Sequence, residues 1–465
     1  MWNKKAMWIV LIAIAFLYIL FVLDDQVNWE IRAALAVTFL GISLWIIELV
    51  PFGLTSVLIL ILYLMFQVST VETVLSGYAS GAVFLILGGM MLANGVNQTF
   101  LGQRMVYYIL KITGNKATSL LLGIIMVPQI LAIFIPASAV RAALILPIVL
   151  SLISLLKLED QVNFKKQMML ALAYGGNVSG VGLLPAAIGN ILVVELVYLY
   201  TDHVISYFDW FLYAFPIWLL SIPVTWYVVK KAYPLDGVKL GNVKGEIDGQ
   251  LQKLGKLTMA EKKCIGILLL TVTLWTTQSV HGLHPAFPTL LAAILIGLPK
   301  LGFASWEELT KVNINTLLLI GTTMSIGIVL IDTGAIKYLT SILFTEWMLQ
   351  LLAQPILSIL ILVLIVQFVH LGVSIVNTVV VALVPVTISL AMELAMDPVL
   401  FAMVTGIASI FGFILVVESI PNVIAYGTGL IGQRDFIKPG IKLTFLTTII
   451  IVLVSFTWWK WIGLS

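Results

Sequence analysis

Long stretches of Ala, Val, Ile, Leu and Phe in this chain are interrupted by a few residues that could hold charge or donate hydrogen bonds. Ser138 and Arg141 lie in PASAVRAALILPIV (136–149), Asn190 ends YGGNVSGVGLLPAAIGN (174–190), and Asn377 and Thr378 lie in SIVNTVVVALVPVT (374–387). Glu418, Ser419, Pro421 and Asn422 close GIASIFGFILVVESIPN (406–422). Gly and Pro among such groups break a helix, and a break inside an apolar layer frees backbone N–H and C=O groups that cost several kcal/mol each unless something pairs with them. Helix N-termini after a break attract anions, and the carbonyls before it attract cations. Four breaks facing one another would suit a small anion held by Ser and Asn side chains and by backbone N–H groups.

The elements that must carry these breaks follow from composition. The chain has 465 residues, 61% hydrophobic and 10% charged, with a mean hydropathy of +1.11. That is far more apolar than a soluble globular protein, and it excludes a secreted module, a nucleic-acid binder and a cytosolic enzyme. One cysteine, Cys264, excludes an intramolecular disulfide and a multi-cysteine metal site. Apolar runs predict membrane-spanning helices at about 6–23, 31–49, 51–67, 80–97, 168–199, 208–229, 264–280, 285–303, 313–333, 398–430 and 439–462. The first follows Lys4 and Lys5 but lacks a small-x-small cleavage site, so it reads as a retained helix. Two further runs, 117–156 and 354–392, are too long for one crossing and have polar, Pro-containing centres (Pro136, Ser138; Ser374, Asn377, Thr378). They read as re-entrant helical hairpins with their tips buried in protein.

With the N-terminus inside, this count puts all but four of the 25 Lys and Arg residues in internal segments; Arg32, Lys337 and Lys460 fall outside and Arg141 inside a hairpin. The expected organisation is an N-terminal helix and external loop (1–30), a first repeat (31–229; hairpin 117–156, broken helix 168–199), a cytoplasmic linker (230–263), and a second repeat (264–465; hairpin 354–392, broken helix 398–430). Pro147 and Pro385 are 238 residues apart, and Asn190 and Asn422 are 232 apart. Hairpin and break thus recur in one order, with the hairpins opening to opposite sides, which is the inverted repeat of secondary transporters. The predicted fold is an all-α polytopic membrane protein of about 11 transmembrane helices plus two hairpins. It lies in the cell membrane with the N-terminus cytoplasmic and the C-terminus external. An intramembrane enzyme would need paired catalytic groups at hydrogen-bond reach, and the deep candidates here are only Arg141, Glu418 and His370, so no enzyme is expected.

At these residues the chain resembles the divalent anion/sodium symporter (DASS) family of dicarboxylate, citrate and sulfate carriers. LWIIELVPFGLTSVLIL (44–60) is similar to the family's Trp-x-x-Glu-x-x-Pro helix, VFLILGGMMLANGVNQTFLGQRMVYYIL (83–110) to its Gly-Gly helix and amphipathic follow-on, and SIPNVIAYGTGLIGQRDFIKPG (419–440) to its closing Thr-Pro-Pro-Asn and Gly-Thr-Gly segment. The resemblance implies a homodimer with scaffold and transport domains, an elevator-like displacement, no cofactor, and sodium as a possible co-transported ion. It also implies that Ser138, Asn377, Thr378, Ser419 and Pro421 contact the substrate while Asn190 and Asn422 brace the breaks.

The departures from the family pattern bear on coupling. Its Ser-Asn-Thr triplet is Ala137, Ser138, Ala139 at the first tip and Val376, Asn377, Thr378 at the second, so a sodium site near Ala137, Ser138, Val376 and Asn377 has lost oxygens. Arg141 and Glu418 stand where the family has small residues. A charge in a membrane domain is a functional hypothesis by default: Arg141 could replace a bound sodium or clamp a carboxylate, and Glu418 could pair with Arg141 or carry a proton. His370 could sense pH but reads first as a packing residue. The sequence therefore favours sodium-independent exchange of C4 or C5 dicarboxylates such as succinate, malate and 2-oxoglutarate. Sodium- or proton-coupled symport of dicarboxylate, citrate or sulfate is the alternative.

Overall fold

The computed structural model describes residues 2–22, 27–113, 116–133, 135, 137–156, 158, 160–235, 240–373 and 376–464, with side chains from residue 7 onward. Among these the regular structure is helical, with no strand. Eight segments are long and apolar enough to cross a membrane and six shorter helices are apolar. Each of the eleven expected spans corresponds to helix, and the two expected to be broken are broken.

The breaks have one design. Helix Val162–Val178 stops, a short 3-10 turn forms over Leu184–Ala186, and the chain restarts as Ile188–Thr201. Helix Pro398–Ile410 stops, a turn forms over Val416–Glu418, and the chain restarts as Ile420–Tyr426. The hairpins are Ala117–Leu131 with Ser138–Leu155, and Pro355–Gly372 with Val376–Glu393. Pro136 and Ser374, expected at the tips, lie outside the described residues. The second arm of each hairpin packs on the restarted helix of the other half: Ser138–Leu155 on Ile420–Tyr426, and Val376–Glu393 on Ile188–Thr201. Each repeat therefore completes the core of the other.

A second group comprises Trp29–Ile47, Phe52–Met65, Gly81–Asn97, Met259–Thr276, Ala286–Gly297 and Ile314–Asp332. It meets the hairpin group where Ile188–Thr201 packs on Gly81–Asn97 and Ile314–Asp332. The 230–263 linker carries a helix of its own, Val243–Leu254, which the sequence reading did not anticipate. Arg104, on the amphipathic helix Leu101–Thr113, binds it there: its Nε donates to Glu261 Oε1 at 2.8 Å and its Nη1 to the Gly255 carbonyl at 2.9 Å. Hydrogen bonding to Glu261 holds the guanidinium above its usual value. Glu261 also caps its own helix in a reciprocal pair with Thr258.

Candidate functional site

Four helices begin at one small cavity. Ser138–Leu155, Ile188–Thr201, Val376–Glu393 and Ile420–Tyr426 all turn their first residues toward a space of about 110 Å³ lined by Ser138, Asn177, Asn377, Ser419 and Pro421, with Gly180 and Ile410 from the ends of the interrupted helices. Among the described residues no charged side chain lines it. Each helix N-terminus carries roughly half a positive charge and unpaired N–H groups, so the cavity wall favours an anion. Ala137, which caps the first hairpin's second arm, has a φ of +74°, a conformation that costs a non-glycine residue energy and is found where a tip must be held in one shape.

Asn190 and Asn422 do not line the cavity. They sit one turn into the restarted helices, fully buried, and hold the breaks closed. Asn190 Nδ2 donates to the carbonyls of Gly180 (2.7 Å) and Leu183 (2.9 Å), and Asn422 Nδ2 to those of Gly412 (3.0 Å) and Leu415 (3.0 Å). Ser419 Oγ accepts from the Asn422 N–H at 3.3 Å, a cap that Ala187 cannot supply at the matching place in the first half. Thr378 is buried, its Oγ1 has no partner among the described residues, and it does not line the cavity. Val376 and Ala137 line the cavity, but Val376 offers no side-chain oxygen for sodium and Ala137 none either.

Arg141 stands one layer behind the wall. Its Nη1 donates to the Ile135 carbonyl (2.7 Å), its Nη2 to Ser179 Oγ (2.9 Å) and the Ala186 carbonyl (3.1 Å), and its Nε to Ser179 Oγ (3.2 Å). These oxygens come from the hairpin tip, the interrupted helix and the break, and each adjoins a lining segment. Arg141 is fully buried, and among the described residues no carboxylate lies within ion-pair distance of it. Of the roles open to Glu418, pairing with Arg141 is therefore not seen. Glu418 instead accepts from the N–H groups of Ile414 (2.9 Å) and Leu415 (3.0 Å), capping its own break.

Two site residues were not singled out from the sequence. Asn177 lines the cavity and ties the halves together, donating to the Gly412 carbonyl at 2.6 Å and to Asn422 Oδ1 at 3.2 Å. Ser179 is the hydroxyl that Arg141 grips. Both stand in GGNVSG (175–180), beside the glycines that mark the break.

The profile of the sodium:sulfate symporter transmembrane region matches residues 3–465. The chain belongs to this family. It is 25% identical over 466 residues to the sodium-dependent dicarboxylate transporter SdcS of Staphylococcus aureus, covering 95% of this chain and 88% of the relative. It is also 25% identical over 398 residues to a membrane protein of Cupriavidus necator, covering 84% of this chain and 76% of that one. The chain is thus a multi-pass membrane transporter of the family whose pattern the sequence resembles.

Proposed function

We propose that this protein exchanges small C4 and C5 dicarboxylates across the cell membrane, independently of sodium, by an elevator-like displacement of the hairpin group against the other helices in a homodimer. Dicarboxylate chemistry is supported by the named relatives and by a cavity whose wall consists of helix N-termini, hydroxyls and amides. Ser138, Asn377 and Ser419 would bind the carboxylates, with Asn177 between them. A second space of about 210 Å³ shares Ala137 and Ile188 with the cavity and reaches Asn313 and Lys311, giving the substrate a route toward the side that the charge distribution assigns to the cytoplasm.

The observation that carries sodium independence is the setting of Arg141. A carbonyl at the tip, a hydroxyl and a carbonyl at the break surround its guanidinium, and such a cluster of oxygens is what a bound sodium would require. A permanent cation there repels sodium: two unit charges 5 Å apart interact by roughly 3 kcal/mol at an effective dielectric of 20. It also leaves the empty site with a buried charge whose only partners are neutral, an expensive state to move through lipid. A dianion offsets that charge, so the loaded carrier moves and the empty one resists, which is the behaviour of an exchanger.

The relatives' sodium-dependent names support the alternative, sodium symport. Substrate class is tested in proteoliposomes preloaded with unlabelled succinate, by measuring uptake of labelled succinate against malate, 2-oxoglutarate, citrate and sulfate as competitors. Competition by the C4 and C5 dicarboxylates alone supports the reading. Competition led by sulfate or citrate overturns it.

A further inference from the structure

His370 lies one turn before the second hairpin's tip and is 1% exposed, yet neither ring nitrogen has a hydrogen-bond partner among the described residues. A neutral imidazole always carries one N–H, so this leaves a buried donor and a buried acceptor unpaired, a cost proteins rarely leave in place without use. The ring packs on Gly412. A methyl group built on Gly412 would lie 2.7 Å from His370 Cε1 and 2.8 Å from Glu418 Cβ, so the imidazole and the acid share one backbone residue as neighbour. The carbonyl of that residue accepts from both Asn177 and Asn422. Glu418 is itself 2% exposed, has no cation within ion-pair distance among the described residues, and directly precedes Ser419 in the cavity wall.

We propose that His370 and Glu418 form a proton-binding pair in the second half of the site, and that binding of a substrate dianion takes up one proton there. This rests on the dicarboxylate reading above. With His370 neutral, an ionised Glu418 places a carboxylate next to Ser419, beside the place where an anion must bind. A proton on His370 offsets that carboxylate, so that it no longer opposes an incoming dianion. Histidine is the side chain suited to this, because its ordinary titration lies near neutral pH and a carboxylate placed close to it favours the charged form.

The other ionisable groups on elements packed around His370 do not compete. On Pro355–Gly372 itself and on Pro398–Ile410 there are none. On Val376–Glu393 and Glu346–Leu352 the acids Glu393 and Glu346 are exposed. On Gln433–Phe456, Arg434, Lys438 and Lys442 are exposed and Asp435 is paired with Lys166. Tyr174, beside the second break, donates its hydroxyl to the Phe436 carbonyl. The first half has a fixed cation and the second a titratable one, an asymmetry imposed on otherwise matching breaks.

The test is the pH dependence of succinate affinity in the reconstituted full-length protein between pH 6.5 and 8.5, where succinate is largely the dianion. Uptake of one proton on binding makes affinity rise by up to about tenfold per unit fall in pH. Glu418→Gln, which removes the negative charge, should flatten the profile near the wild type's tight, acid-side value. His370→Asn, which removes the proton acceptor, should flatten it near the weak, alkaline-side value. Should a variant fail to fold, the wild type alone decides: succinate added to lightly buffered protein should raise the pH reported by an indicator dye. A flat wild-type profile with intact dicarboxylate exchange overturns the proton pair and leaves the dicarboxylate reading standing. Both variants weakened equally, with the wild-type slope retained, would show a merely structural role and also overturn it. Absence of any dicarboxylate exchange by the wild type would remove both.

Discussion

Asn190 and Asn422 hold their helix breaks by the same two hydrogen bonds: each side-chain amide donates to the carbonyls ten and seven residues before it. The two sets of three residues are offset by the same 232 positions. Replacing either asparagine by alanine removes two buried hydrogen bonds to backbone carbonyls. Each substitution should destabilise the protein by about 0.5–1.5 kcal/mol per lost hydrogen bond, and a drop in thermal unfolding temperature in detergent, of similar size for the two variants, checks it. Asn422→Ala should cost somewhat more, because Asn422 Oδ1 also accepts from Asn177 whereas Asn190 Oδ1 has no partner.

Asn377 offers the cavity an amide from the second hairpin tip. Asn377→Ala removes a hydrogen bond to a charged carboxylate, worth roughly 1.5–3 kcal/mol, so succinate affinity should fall about 10- to 150-fold with little change in thermal stability. Binding titration of the purified variant checks this. Unchanged affinity would place the substrate elsewhere.

The second break is pressed against the last long helix. A methyl group on Gly440 would stand 2.3 Å from the Phe413 carbonyl oxygen, a backbone atom with no rotamer by which to yield. Gly440→Ala should therefore displace the break, lowering folded yield and abolishing uptake, whereas Gly241→Ala, in the linker with open space around it, should leave both unchanged. Size-exclusion profiles and uptake of the two variants give the comparison.

The distribution of Lys and Arg predicts which loops face the cytoplasm. In a Cys264→Ser background, single cysteines at Lys244→Cys and Lys337→Cys should react with an impermeant maleimide from opposite sides of the membrane. Labelling of both from one side would contradict the inverted repeat.

The architecture was legible because it is written in one dimension. An apolar run of forty residues with Ser or Asn at its centre has few solutions in lipid, and a Gly-rich stretch ending in Asn at a repeated offset marks a break whose carbonyls need that amide. What was not legible depends on partners distant in sequence. Pairing with Arg141 is one of the roles the sequence leaves open to Glu418, but the Arg141 guanidinium reaches Ser179, 38 residues away, while Glu418 turns to the N–H groups of its own break. The pairing of Arg104 with Glu261, 157 residues apart, gave no local signal. Helix Val243–Leu254 was hidden because its stretch is polar and rich in Lys and Gly, as a linker is. Thr378 follows Asn377 in the family's triplet, yet it lies two residues into the helix and does not line the cavity.

The most direct test of the central claim is uptake of labelled succinate by proteoliposomes, with internal dicarboxylate and external sodium each varied alone. Exchange built on a fixed Arg141 charge predicts uptake that requires internal dicarboxylate, is the same in sodium and in choline, and is lost in Arg141→Ala. Uptake into empty vesicles that rises steeply with external sodium would contradict it.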